Sequence, residues 1–240
     1  MAWTVTAAKQ AGTSHLRHGE GCADAFAVRT GDGVLVLAVA DGAGSARCGA
    51  DGAEHAAGRA ANLALRETDL RSVFQGTLDS LLEKVGDRPS ADFHTTLLVA
   101  ILTENTLSVG NIGDGWAVVR SMRGHGALRA VAAPSRSEYA NETFFLTSRN
   151  ALDDAVYEVV PAAGLDAVAL LTDGPAWFSI DLETRTPSAA LFGKLFEFAA
   201  DGSRPAPERD EELARFLASD MVVRKTDDDK TMVLAVRDAR

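Results

Sequence analysis

The stretch that decides the fold is VLVLAVADGAG, residues 34–44. Its first seven residues are all apolar, which is typical of a β-strand that is buried on both faces. Asp41 and Gly42 follow this strand directly, so a carboxylate is expected where a buried strand ends. A charge in such a place costs several kcal/mol unless something compensates it. Asp41 is therefore the first candidate site residue.

The same pattern of an acidic residue at the end of an apolar strand recurs along the chain. Asp114 lies in the segment Asn111-Ile112-Gly113-Asp114-Gly115, Asp173 follows VALLT (residues 168–172), and residues 227–229 are three aspartates before a final apolar run. Asp-Gly is a common turn dipeptide, so any one of these could be a turn alone. Carboxylates that converge from several strand ends are best compensated by a hard divalent ion such as Mg²⁺ or Mn²⁺.

The order of predicted elements extends outward from these motifs. Strands are predicted at residues 3–7, 24–29 and 34–40, helices at 49–67 and 70–85, and six strands between 95 and 172. Two helical patterns near 191–199 and 213–217, a loop at 201–208 and a strand at 230–236 follow. Because βαβ alternation is missing, a parallel doubly wound sheet is disfavoured. We predict an α+β single domain over residues 1–240, with two mainly antiparallel sheets flanked by helix pairs.

Composition excludes several classes of protein. The net charge is −10 (24 basic against 34 acidic residues), and no basic stripe is present, so no nucleic-acid partner is expected. No apolar run approaches 18 residues and no secretory signal is recognised, so no membrane association is expected. The two cysteines, Cys22 and Cys48, are expected to be free thiols in a reducing, cytoplasmic location.

Taken in order, the motifs resemble those of the metal-dependent protein phosphatase 2C family, in its compact bacterial branch. They run from about residue 12 to residue 236. They are Ala23-Asp24-Ala25-Phe26, the Asp41-Gly42 segment, His94-Thr95-Thr96, Asn111-Ile112-Gly113-Asp114, Leu171-Thr172-Asp173-Gly174 and Asp228-Asp229-Lys230-Thr231.

The resemblance implies a four-layer αββα sandwich with two Mn²⁺ or Mg²⁺ ions between the sheets. By the same resemblance, Asp41 would bridge both ions and the Gly42 carbonyl would ligate one of them. Asp173 and Asp228 would complete the other, and Asp24 would hold metal-bound waters.

The resemblance also implies the reaction. Two such ions acidify a bridging water that attacks phosphorus directly, without a phosphoenzyme. The substrate would be phosphoserine or phosphothreonine in a protein, and a cognate serine/threonine kinase would be a partner. Two alternatives stay open: a catalytically weak or inactive phosphatase-like module that binds a phosphorylated partner, and a hydrolase of small phosphate esters. Asp114 would hold a weak third ion or be a turn residue.

The sequence departs from the family pattern near its N-terminus. The family usually has an arginine five residues before its N-terminal aspartate, where this chain has Gly19. We expect Arg17 to take over part of this phosphate-binding role. His15 and His18 are interpreted as solvated loop residues, and Ala23 stands where the family has an acid or amide that helps to hold water.

Overall fold

A computed structural model describes residues 3–122, 126–134 and 143–238. Its first sheet has the strand order β2-β3-β4-β5-β8, and all neighbouring pairs are antiparallel. The bounds of its strands are Ala25–Gly31 (β2), Val34–Ala40 (β3), Leu97–Leu102 (β4), Thr106–Ile112 (β5) and Val156–Pro161 (β8).

The second sheet is also antiparallel throughout, with the order β1-β12-β9-β6-β7. The last strand along the chain thus lies between the first strand and β9. The bounds are Trp3–Gln10 (β1), Trp116–Ser121 (β6), Ala127–Val131 (β7), Leu165–Leu171 (β9) and Lys230–Arg237 (β12).

Helices cover the outer face of each sheet. Those on the first sheet are α2 (Gly49–Ala64), α3 (Leu70–Val85) and the short α4 (Ala151–Asp154). Those on the second are α5 (Asp173–Ser179), α6 (Ala189–Ala199) and α7 (Ala206–Leu217). The remaining elements are α1 (Thr13–Arg17), a 3₁₀ turn (Ser90–Phe93), α8 (Asp220–Val223) and the two-stranded pair β10 (Ile180–Asp181) and β11 (Thr186–Pro187). No helix of the described residues is both long enough and apolar enough to cross a bilayer.

Strand β3 shows why the sequence specifies four layers. Side chains alternate between the two faces of a strand. Leu35, Leu37 and Val39 therefore pack between the two sheets, while the alternate residues of β3 pack under α2 and α3. A strand between two apolar layers has no solvent face, which accounts for its unbroken apolar sequence. The predicted α+β, four-layer αββα arrangement is confirmed.

Small residues let the outer layer approach its sheet closely. The buried face of α2 is almost entirely alanine, including Ala53, Ala57 and Ala60. On the neighbouring helix, Phe74 lies over Gly110 of β5, where a Cβ atom would be only 3.0 Å from the ring. This packing places α2, which follows Asp41 in the chain, directly on the first sheet.

One predicted boundary is wrong and one helix was not predicted, for the same physical reason. The loop predicted at 201–208 ends earlier, because α7 begins at Ala206 with Pro207 in its first turn. The run after Asp173 is helix α5, although it contains Gly174 and Pro175. Proline is accepted in the first turn of a helix because the N–H that it lacks has no intrahelical partner there.

Candidate functional site

The acidic residues singled out in the sequence meet at one end of the sandwich. Ala25 pairs with Ala40, so Asp24 and Asp41 flank the same end of the first sheet. Leu171 pairs with Met232, so Asp173 and the aspartates before β12 flank one end of the second sheet. The hydroxyl of Thr172, at the end of β9, donates a hydrogen bond of 2.7 Å to Asp24 Oδ2, which shows that these two ends adjoin.

Two threonines fix the backbone of Asp41. Its carbonyl accepts hydrogen bonds from the Thr95 hydroxyl and the Thr96 N–H, each at 2.9 Å. Its own N–H donates to Thr96 Oγ1, also at 2.9 Å. The neighbouring Gly42 cannot carry a side chain, because a Cβ atom would lie 2.3 Å from the carbonyl carbon of Gly49. The paired threonines and the glycine of these motifs thus hold the strand end in one conformation.

Asp24 is the most deeply buried carboxylate, with 1% of its surface exposed. Its Oδ2 accepts a hydrogen bond of 2.7 Å from Thr172 Oγ1, while Oδ1 is buried and has no hydrogen-bond partner among the described residues. Burial raises the pKa of Asp24 to about 7, and the charges of Asp228 and Asp229 act in the same direction.

Asp41 and Asp173 form the centre of the cluster. Burial, with the charges of Asp24 and Asp173, raises the pKa of Asp41 well above its usual range. Burial also raises the pKa of Asp173 to about 8, with contributions from Asp114, Asp228 and Asp24, while the hydrogen bond to Asp41 lowers it. Carboxylates this close cannot all be ionised without a proton or a cation between them.

Asp114 approaches the cluster from the connection between the two sheets. Its Oδ2 accepts a hydrogen bond of 2.9 Å from Thr143 Oγ1, and its Oδ1 is buried without a hydrogen-bond partner in the described part of the chain. Burial raises the pKa of Asp114, and the charge of Asp228 adds to the effect. Asp114 is therefore part of the acidic cluster and more than a turn residue.

The three aspartates before β12 have different environments. Asp228 is half-buried, and its charge acts on all four other carboxylates of the cluster. Asp229 is 2% exposed and points instead to the N-terminal loop, the segment between β1 and β2 that includes α1. There it accepts hydrogen bonds from the N–H groups of Gly12 and Ala23. Lys230 is fully buried, and its Nζ donates to the Asp228 carbonyl at 2.7 Å.

The N-terminal loop differs from the sequence interpretation at two residues. His15 is not a solvated loop residue: it lies on α1, and its Nδ1 is 2.9 Å from Asp229 Oδ1. His18 is exposed, as expected, and so is Arg17 at the end of α1. Ala23, read as the loss of a polar group, contributes its backbone N–H to Asp229. Sequence analysis missed the pairing of His15 with Asp229.

The donor set fits a hard divalent cation. Two carboxylate oxygens, Asp24 Oδ1 and Asp114 Oδ1, are buried without hydrogen-bond partners among the described residues. Within those residues, no group of three or more His, Cys, Asp or Glu side chains is by itself arranged to hold a metal ion. Mg²⁺ and Mn²⁺ fit a site with so few protein ligands, because they take oxygen ligands and keep several waters. Zinc does not, since it prefers a closed set with nitrogen or sulfur ligands.

Comparisons with known proteins agree with the fold and the motifs. The sequence model of the protein phosphatase 2C family matches residues 11–218, so the chain belongs to this family. It is 30% identical to serine/threonine-protein phosphatase 3 of Escherichia coli (strain K12), over 98% of this chain and 99% of the relative.

Solved structures share the fold at low sequence identity. The serine/threonine phosphatase Stp1 from Staphylococcus aureus superimposes with a TM-score of 0.69 at 14% identity, covering 100% of this chain and 96% of that one. Serine-threonine phosphatase 2C from Toxoplasma gondii gives 0.68 at 13% identity, covering 98% and 95%.

Proposed function

We propose that this chain hydrolyses phosphoserine and phosphothreonine esters in proteins, using two Mn²⁺ or Mg²⁺ ions and no phosphoenzyme, and that residues 1–240 form one catalytic domain. One observation carries the proposal: carboxylates from both sheets meet at one end of the sandwich, where burial and mutual repulsion raise their pKa values. Such a cluster is stable when ionised only if cations occupy it.

The residues have separate roles in this proposal. Asp41 would be shared by both ions, with the Gly42 carbonyl as a ligand of one and Asp173 and Asp228 as ligands of the other. Asp24 would hold water through its unpartnered oxygen. When bound, the ions supply an acidified water and neutralise the phosphoryl oxygens.

Two groups outside the central cluster have proposed auxiliary roles. Asp114 would hold a weak third ion, since one of its oxygens is buried and unpartnered among the described residues. Arg17 would pair with outward phosphate oxygens. It is exposed at the end of α1, seven residues before Asp24, and a guanidinium can form two parallel hydrogen bonds to a phosphate.

The substrate class rests on the family and on the relative from Escherichia coli, which is named a serine/threonine-protein phosphatase. A kinase that phosphorylates the same seryl or threonyl residues would be the functional partner. A cytoplasmic location is proposed because both cysteines are free thiols. The acidic sequence favours phosphoproteins with basic flanking residues, because a net charge of −10 repels acidic ones.

The test uses Asp41→Asn with Asp87→Asn as a matched control, since Asp87 is exposed and belongs to none of the motifs. We expect Asp41→Asn to abolish turnover of phosphoserine and phosphothreonine peptides in Mn²⁺ while the fold is retained. Asp87→Asn should behave as the wild type. Near-normal turnover by Asp41→Asn would show that the site is misplaced.

The same assay separates the alternatives. A wild-type protein that binds phosphopeptides without turning them over would be a binding module. One that hydrolyses small phosphate esters but no phosphopeptide would be a small-molecule phosphohydrolase.

A further inference from the structure

Trp177 is an exposed aromatic residue one helical turn after Asp173. Its exposed fraction is 62%, although its neighbours Ala176 and Phe178 pack onto the second sheet and the helices that cover it. Residues four apart lie on the same face of a helix, with their Cβ atoms about 5–6 Å apart. Trp177 therefore stands on the face of α5 that begins at Asp173, next to the acidic cluster.

Trp177 also forms one wall of a cleft of about 420 Å³. The end of α5 and the β10–β11 hairpin form this cleft, and Asp181, Thr184 and Thr186 of the hairpin line it. Asp181 is the single charged residue among those that line it, in the described part of the chain. Its Oδ1 accepts hydrogen bonds of 3.0 Å from the N–H groups of Glu183 and Thr184, which fix the carboxylate in the hairpin. No carboxylate of the acidic cluster lines the cleft, so the cleft is separate from the proposed metal site.

The groups that line this cleft favour a cation. An indole face attracts a guanidinium or ammonium group, and a carboxylate beside it adds an ion pair. The basic residue of the hairpin, Arg185, is turned away from the cleft. Its guanidinium carbon lies 5.5 Å from the centre of the Trp116 ring, and Nη2 donates a hydrogen bond to the Pro134 carbonyl. A cation in the cleft would therefore meet attractive groups and no basic residue among those described as lining it.

We propose that Trp177 and Asp181 bind an arginine side chain of the phosphoprotein substrate, close in sequence to the phosphorylated residue. The inference rests on the proposed phosphatase function and adds a specificity site to it. Arginine fits better than lysine, because its planar guanidinium stacks on an aromatic face and can also pair with a carboxylate. Because four residues of helix rise about 6 Å and an extended peptide advances about 3.3–3.6 Å per residue, the arginine is expected about two to four residues from the phosphorylated one.

The experiment measures the preference for arginine within each variant of the protein. Phosphoserine peptides are assayed in Mn²⁺ with arginine or norleucine at each of these positions, before and after the phosphoserine. Norleucine keeps an unbranched apolar side chain but has no charge. We expect the wild type to prefer arginine about tenfold in kcat/KM at one position, through a lower KM.

Two variants remove the two halves of the site separately. Trp177→Leu removes the aromatic face, and Asp181→Asn removes the charge while keeping the Oδ1 acceptor of the hairpin. Each should reduce the ratio of kcat/KM for arginine over norleucine to about twofold or less. Met221→Ala and Asp87→Asn are matched controls, because Met221 is an exposed apolar residue and Asp87 an exposed aspartate, and neither lines the cleft. Both controls should keep the wild-type ratio.

No preference for arginine in the wild type, or a preference that persists in both Trp177→Leu and Asp181→Asn, would overturn the proposal. Binding is also tested without turnover, by the indole N–H NMR signal of Trp177 in the metal-free protein. This signal, assigned by its loss in Trp177→Leu, should shift with the arginine phosphopeptide and not with the norleucine one. Hydrolysis of both peptides without this shift would overturn the arginine site and leave the proposed function intact. The shift without hydrolysis of any peptide in Mn²⁺ would refute the proposed function and support the arginine site.

Discussion

Replacing Asp173 by asparagine should stabilise the metal-free protein at neutral pH. Burial raises the pKa of Asp173 to about 8, against 3.8 as its ordinary value. At pH 7 the folded protein therefore keeps Asp173 neutral, although this pH lies about three units above the pKa that Asp173 has in the unfolded chain. At 1.36 kcal/mol per unit, this costs about 4 kcal/mol of folding free energy. Asparagine is neutral at every pH and avoids the cost.

The sign of the effect depends on pH and on metal. A raised aspartate pKa gives stability that is present below pH 3.8 and is lost as the pH rises towards 8. The advantage of Asp173→Asn should thus be small at pH 4 and reach roughly 10 °C in Tm at pH 7, at about 2–4 °C per kcal/mol. Saturating Mn²⁺ should reverse the order, because a ligand that binds only the folded state stabilises the better binder more.

The assay is thermal unfolding in EDTA and in Mn²⁺ between pH 4 and pH 8, with Asp87→Asn as the control for loss of a surface charge. A variant Asp173→Asn that is no more stable than the wild type in EDTA at pH 7 would refute the reasoning. The same difference in Tm between the variant and the wild type at pH 4 and at pH 7 would also refute the reasoning, since it would show a cause other than carboxylate ionisation.

Three further predictions concern the metal, the phosphate and the thiols. Turnover should stop after exhaustive metal removal and return with Mn²⁺ or Mg²⁺ but poorly with Zn²⁺; full turnover in excess chelator would contradict a two-metal reaction. Arg17→Ala should raise KM for a phosphoserine peptide about tenfold, a loss of about 1.4 kcal/mol, with little change in kcat. If KM and kcat are both unaltered in Arg17→Ala, the Arg17 side chain does not bind the phosphate. Cys22 and Cys48 should both react with an alkylating agent in unfolding buffer without reductant. If mass spectrometry shows a quantitative disulfide, both the prediction of free thiols and the proposed cytoplasmic location are contradicted.

The layers could be predicted because their signal is local. A run such as residues 34–40 is apolar throughout only if both faces of the strand are covered, and this indicates stacked layers before any contact is known. Asp41 and Asp173 could be found in the same way, since each follows such a run. The boundaries at α5 and α7 could not, because Gly174-Pro175 and Pro207 are as typical of loops as of first helical turns.

The pairing of His15 with Asp229 lies beyond what one sequence can show. The two residues are separated by almost the whole chain, and they meet only because β12 is inserted between β1 and β9. A histidine in a polar segment near the N-terminus has the same local pattern whether it is solvated or held by a buried carboxylate. Only the sheet order distinguishes the two cases.

That sheet order also determines when the acidic cluster can be complete during the synthesis of the chain. A nascent chain that has reached residue 200 already contains Asp24, Asp41 and Asp173, but the strand that belongs between β1 and β9 has not yet been made. Until β12 is in place, β1 has no partner in its sheet, and neither Asp228 nor Asp229 is available. The acidic cluster is thus completed among the last events of folding. An unfinished chain therefore lacks the complete acidic cluster that the proposed reaction needs.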